Sequence, residues 1–143
     1  MQNSSIMLEL NEVNIGIFKK LSARYKELGL DVTPVHSRII MFLYDSKMQI
    51  CQRDIERFIS CNKSTMSAVL NTMERNGLIV RVDSTEDSRM KIIELTDKSK
   101  KAAKVLREDK EKIDEILVSD ISEEEFVKFS HILNKIKKNI ERI

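Results

Sequence analysis

The chain has 143 residues, with 25 Lys or Arg against 23 Asp or Glu and a net charge of +2. That length suits one domain, or one domain with helical extensions, and buries roughly 70% of its unfolded surface without help from a disulfide or metal. The charge balance neither requires nor excludes a polyanionic partner, and no apolar run approaches the ~18 residues of a membrane span.

The only proline is Pro34, and the glycines are Gly16, Gly29 and Gly77. So few breakers predict long helices and make each breaker informative. Ile6, Leu10, Val13, Ile17, Leu21, Tyr25 and Leu28 recur at spacings of three and four. This is one apolar stripe on a first helix that stops near Gly29. Thr33-Pro34 reads as an N-cap followed by proline in the first turn of a second helix. That helix ends near Asp45-Ser46.

CQRDIERFIS gives about two helical turns, and CNKS breaks them. Asn62 or Ser64 can cap a further helix, with Met66, Val69, Leu70 and Met73 facing inward. Asn76-Gly77-Leu78 closes it as a left-handed stop. Two short strands follow, separated by a charged loop ending in Asp87-Ser88-Arg89. Thr96-Asp97 opens a long charged helix, and Ser122 to Glu125 has the form of a capping box for a last one. Phe126, Phe129, Ile132, Leu133, Ile136 and Ile140 run along one side of that helix.

The order predicts a mainly α (α+β) fold, a winged helix-turn-helix with a two-stranded wing and long N- and C-terminal helices. Three segments are expected: 1–30, the winged region 31–96, and 97–143, intertwined as one domain. The long helices carry more apolar surface than a core of this size uses. A second copy of the chain is the simplest cover, which makes a homodimer with Ile6, Leu10, Val13, Phe126, Phe129, Ile132, Leu133, Ile136 and Ile140 at its interface.

Ser64-Thr65, Met73-Glu74, Asn76-Gly77-Leu78, Arg81, Asp87-Ser88-Arg89 and Leu95-Thr96, in that order and spacing, resemble the MarR family of bacterial transcriptional regulators. The likeness covers about 50 residues closely and the whole chain in layout. It implies a homodimeric winged-helix DNA-binding protein, a repressor that reads two halves of a palindromic operator in double-stranded DNA. It further implies that Arg89 enters the minor groove with Asp87 orienting it, and that Lys91 lies alongside. A guanidinium on an extended hairpin suits the negative potential of a narrow minor groove.

By the same resemblance the helix from Lys63 to Asn76 enters the major groove. Lys63, Ser64, Thr65, Ser67, Ala68 and Asn71 lie on its early, outward side. Ser and Thr suit phosphate or ambiguous base contacts, Asn71 can pair with an adenine edge, and Ala68 can meet only a thymine methyl. Arg53, Arg57 and Arg75 are candidates for phosphate contact. Against this stands the charge: residues 31–96 hold nine Lys or Arg and nine Asp or Glu, where a DNA reader usually shows a basic surface. Glu56 also departs from the family pattern, which places a small residue between the helices there.

Relatives in the family respond to small aromatic acids or to thiol oxidation. Arg24, Tyr25, His36 and Arg38 fall near the junction where such an aromatic or anionic effector binds. They either grip a carboxylate or form a half-buried polar rim. Cys51 sits at a helix cap and Cys61 at an apolar position in the helix-turn-helix bend, open either to a redox role or to plain packing. Cysteine usage of this kind fits a reducing compartment, and MQNSSIMLELNEVNI lacks the basic-then-apolar order of a signal peptide. A cytoplasmic protein with no membrane association is therefore expected.

His36 and His131 have no second ligand at metal spacing, and no cofactor is expected. Enzyme motifs such as a Gly-rich phosphate loop, GxSxG or HExxH are absent from the sequence. The rival to a DNA-binding regulator is a winged-helix adaptor that binds protein, which the neutral charge of 31–96 would suit.

Overall fold

A computed structural model of the protein describes residues 5–143. The first four residues of the expected amino-terminal segment lie outside them. The described elements run α1 (Ile6–Glu27), α2 (Pro34–Asp45), α3 (Gln52–Ile59), α4 (Lys63–Arg75), β1 (Ile79–Asp83), β2 (Lys91–Leu95), α5 (Asp97–Leu117) and α6 (Glu123–Ile140). They form two compact units, divided between Leu106 and Arg107 within α5. The fold is the expected mainly α winged helix-turn-helix.

Local chemistry fixes the helix ends of the first unit. Gly29 takes φ +72, and the Leu30 and Gly29 amides donate to the Tyr25 and Lys26 carbonyls. The same paired bonds recur at Gly77, φ +71, from Leu78 to Met73 and from Gly77 to Glu74. Both are Schellman stops, which need a left-handed residue that glycine adopts without steric cost. Asn62 caps α4, its Oδ1 accepting from the Thr65 amide at 2.8 Å. Between α3 and α4, Ser60 holds φ 58 without being glycine, a conformation that costs roughly 1–2 kcal/mol.

Cys51 caps α3 from an extended conformation. Asp54 completes that cap by accepting from the Cys51 amide at 2.9 Å and from its thiol at 3.2 Å. A carboxylate in the first turn thus supplies the reciprocal half of a capping box, satisfying the N-cap amide that precedes the helix.

The core of this unit draws one stripe from every element. Tyr25 of α1, Ile39 and Ile40 of α2, Ile55 of α3, Met66, Leu70 and Met73 of α4, Ile79 and Ile93 of the strands, and Ala103 and Leu106 of α5 form one buried cluster. Of the residues expected to face inward on α4, Val69 is only partly buried. The strands pair antiparallel, Ile79 opposite Leu95 through Asp83 opposite Lys91. The sequence did not reveal an added edge. Cys51 bridges Ile92, and the Ile93 amide donates to the Ile50 carbonyl at 2.7 Å. Two residues are too few to show the alternation of a strand.

In the second unit, Ser122 and Glu125 form the expected capping box. Its hydrogen bonds hold the Glu125 carboxyl below its ordinary value. The apolar stripe of α6 stays largely at the surface: Phe126, Phe129, Ile132 and Ile140 are each about half exposed.

His36 closes the cap of α2. Its amide donates to Thr33 Oγ1 at 3.1 Å, and its Nδ1 accepts from the Thr33 amide at 3.3 Å. Only a neutral imidazole can accept there. Burial lowers the His36 pKa below 6.5, with the Asp31 carboxylate pulling weakly upward. The unfolded chain therefore binds the proton more readily, so stability falls as pH drops through 6.5 toward the folded value. Urea midpoints of the wild type should decline between about pH 7 and about pH 5.5. His36→Gln, which keeps an acceptor at that cap position without titrating, should flatten the decline.

Candidate nucleic-acid interface

Two features of the first unit point outward together: the polar face of α4 and the loop between β1 and β2. On α4, Lys63, Ser64, Thr65, Ala68, Asn71 and Arg75 are exposed, as the sequence implied. Ser67 is half-buried, and its hydroxyl accepts from Gln52 Nε2 of α3 at 2.9 Å. The same Gln52 amide donates to Glu56 Oε1 at 3.1 Å. This explains how a carboxylate is tolerated between α3 and α4: Gln52 gives it a partner, and the pair becomes a polar brace between the helices.

The wing loop contains neither glycine nor proline, and side chains bend it instead. Ser84 Oγ accepts from the amides of Glu86 and Asp87 at 3.1 and 3.2 Å. Asp87 Oδ1 accepts from the Arg89 amide at 3.0 Å and from its Nε at 3.3 Å. Such side-chain-to-backbone bonds replace the turn chemistry of glycine. The expected pair of Asp87 and Arg89 is thus brought together, with the Arg89 side chain 89% exposed. Bonding through Nε leaves both terminal nitrogens of the fork turned to solvent. Lys91 pairs with Asp83 across the strand ends.

Sequence reasoning missed two supports of this surface. Gln49 clamps the wing from outside, accepting from Ser84 Oγ at 3.0 Å and donating to Thr85 Oγ1 at 2.8 Å. Arg81 of β1 forks to Glu74 Oε1 at 2.9 Å and Asn71 Oδ1 at 3.1 Å on α4. Gln49 lies 35 and 36 residues from its partners, so no local pattern announces the contact. Arg81 belongs to the residues that carry the family resemblance, but nothing local in the sequence points to its partners on α4.

These bonds also bear on the neutral charge. Asp54, Glu56, Glu74, Asp83 and Asp87 are each engaged within the protein. Arg53, Arg57, Lys63 and Arg75 have no carboxylate partner among the described residues. Arg75 donates instead to the Thr72 hydroxyl at 3.1 Å. A net count of zero therefore coexists with an unpaired basic set on α3 and α4.

The other candidate residues fall elsewhere. Tyr25 is buried with its hydroxyl 3.0 Å from Ser37 Oγ, and Ser37 in turn donates to the Pro34 carbonyl at 2.8 Å. His36 is committed to its cap, and Arg24 is half-buried with an interaction of its own. Arg38 lies 5.5 Å over the Phe58 ring, which stacks on Phe42. Each of the four candidates, Arg24, Tyr25, His36 and Arg38, already has a partner within the protein. Cys51 and Cys61 are both free thiols and half-buried. Among the described residues no group of three or more His, Cys, Asp or Glu could hold a metal ion, and no helix is long and apolar enough to cross a membrane.

A short helix, a turn, an outward-facing second helix and a braced hairpin define a winged-helix protein. The sequence model of the MarR family matches residues 30–90. The uncharacterized HTH-type transcriptional regulator YybA of Bacillus subtilis (strain 168) is 26% identical over 113 residues, 79% of this chain and 75% of its own length. Among solved structures, the S. aureus MepR–DNA complex superposes with TM-score 0.88 at 23% identity, over 96% of this chain and 99% of that one. The transcription regulator MarR from Oenococcus oeni PSU-1 does so with TM-score 0.77 at 25% identity, over 94% and 99%. Residues 30–90 match the MarR family model, and the chain as a whole is similar to transcriptional regulators of that kind.

Gln49→Ala should free the wing without loosening the core. Hydrogen exchange at the Ser84 and Met90 amides should speed up several-fold, while global stability changes by less than about 1 kcal/mol. Unchanged exchange there would mean the loop holds itself.

Proposed function

We propose that the protein binds operator DNA as a homodimer, with α4 in the major groove and Arg89 in the adjacent minor groove. The observation that carries this reading is the Arg89 guanidinium, held through Nε by Asp87 at the end of a braced loop while its donor pair stays free. A fork preset in this way loses less freedom when it meets a narrow, electronegative groove. On α4, Lys63, Ser64, Thr65, Ala68 and Asn71 face the bases and phosphates. Ser67 contributes through its remaining hydroxyl proton, and Arg53, Arg75 and Lys91 lie over the backbone.

Exposed apolar surface supports the dimer. Ile6, Leu10 and Val13 on α1, and Phe126, Phe129, Ile132 and Ile140 on α6, are each at least 40% exposed. Leu133 and Ile136 continue that α6 stripe in a half-buried state. A contiguous stripe of this kind on a charged helix is costly in water. The segments 1–30 and 97–143 accordingly supply the interface, and 31–96 the DNA surface. Two-fold symmetry then presents two recognition helices about 34 Å apart to two halves of a palindrome. Occupying an operator in this manner blocks transcription, the action of a repressor.

A small aromatic or anionic effector at Arg24, Tyr25, His36 and Arg38 would have to displace bonds those side chains already make. The adaptor reading draws on the neutral count over residues 31–96. It offers no use for an exposed guanidinium preset by Asp87.

Selection from random duplexes should yield a palindromic site. Arg89→Ala should weaken binding to that site by about 1–3 kcal/mol with the fold intact by circular dichroism. Equal affinity would remove the wing from the account. Truncation after Ser119, which deletes α6, should convert the dimer to monomer in sedimentation equilibrium. A tight dimer from the truncated chain would place the interface elsewhere.

A further inference from the structure

Asn71 occupies the outward face of α4, and its side-chain carbonyl is turned back toward the hairpin. Arg81 reaches it from β1 at 3.1 Å while the other arm of the guanidinium binds Glu74 at 2.9 Å. The Arg81 side chain is only 22% exposed and that of Glu74 45%, so the fork is held in a partly shielded place. Arginine has donors and no acceptor, so the Asn71 atom facing it must be Oδ1. The orientation of the amide is therefore fixed chemically. Its nitrogen, which has no acceptor among the described residues, is the atom left for a ligand.

We propose that Arg81 is a positioning residue that makes Asn71 a pure hydrogen-bond donor to the major groove, so that this position reads guanine or thymine and not adenine. The inference rests on the DNA-binding reading above. Adenine is read by an asparagine that donates to N7 and accepts from N6 in the same plane. With Oδ1 turned toward Arg81 and one of its lone pairs taken, the amide no longer presents oxygen and nitrogen side by side to a base edge, and that bidentate pairing is disfavoured. Guanine offers two adjacent acceptors, O6 and N7, to the two amide protons, and thymine offers O4. Adenine offers N7 alone beside an N6 donor that repels the amide N–H, so a pure donor disfavours it. Glu74 fixes Arg81 and thereby acts on base choice without touching DNA.

The experiment is selection from random duplexes by wild type, Asn71→Ala and Arg81→Lys, with the base distribution compared position by position. Arg81→Lys keeps a cation for Glu74 and the charge of the half-buried site, but a single ammonium cannot hold both partners in the arginine's geometry. Wild type should show guanine or thymine at the position in each half-site that Asn71→Ala renders indifferent. Arg81→Lys should raise adenine at that same position by about tenfold relative to wild type. A merely structural role for Arg81 would weaken binding across the whole site and leave each base preference as it was.

Adenine at the Asn71-dependent position in wild type would overturn the proposal, as would an Arg81→Lys distribution identical to wild type. So would an Asn71→Ala distribution unchanged at every position. Each of these outcomes leaves selective DNA binding standing. Enrichment of no sequence by any of the three proteins would overturn the DNA-binding reading itself, and this inference with it.

Discussion

The left-handed turn at Gly77 is the constraint on which the outward surface of α4 and the hairpin depends. It stops α4 within one residue and starts β1 two residues later, so helix and hairpin keep a fixed relation. The far end of the hairpin returns to the same point. Thr96 Oγ1 donates to the Gly77 carbonyl at 2.6 Å, and Lys98 Nζ donates to the Asn76 carbonyl at 3.0 Å. Carbonyls left open where a helix ends are thereby satisfied by the segment that begins α5. Thr96 also shares a reciprocal cap with the fully buried Ser99. The Leu-Thr pair after the wing is thus a clasp: it holds the base of the hairpin against the end of α4.

From that clasp outward, polar side chains brace each part of the surface on top of the core packing of α3, α4 and the strands. Arg81 ties β1 to α4, Gln52 ties α3 to α4, and Gln49 ties the segment before α3 to the wing tip. Exposed hydrogen bonds of this kind each contribute about 1 kcal/mol at most. Their value is geometric, because they fix which atoms face outward. The same bonds consume acidic groups that would repel a polyanion, and they leave basic groups of α3 and α4 unpaired. A neutral sequence can in this way present an uneven surface.

How much of this was visible in the sequence follows from how local each interaction is. Thr33-Pro34, Gly29, Gly77 and the Ser122–Glu125 box were readable because each acts within four residues, and the elements they bound were found where expected. The amphipathic stripe of α6 was readable from its spacing, and its exposure agrees with surplus apolar surface. The braces were not readable. Gln52 and Ser67 are 15 residues apart, Arg81 and Asn71 10, and in composition they resemble any solvated polar residues. That is why Asn71 read from sequence suits adenine, while its position beside Arg81 argues for another base. Tyr25 and His36, candidates for an effector pocket by type and place, turn out to carry a buried hydroxyl bond and a helix cap.

The central claim is that α4 and the wing meet the phosphate backbone despite a net charge of zero over residues 31–96. Affinity for a selected duplex, measured by fluorescence anisotropy over a salt series, tests it most directly. Each phosphate neutralised contributes about −0.9 to the slope of log affinity against log salt. Two copies each of Arg53, Lys63, Arg75, Arg89 and Lys91 predict a slope of about −9 if all of them engage. Affinity that barely responds to salt would contradict the account, since a surface that neutralises no phosphates does not bind DNA in the way proposed.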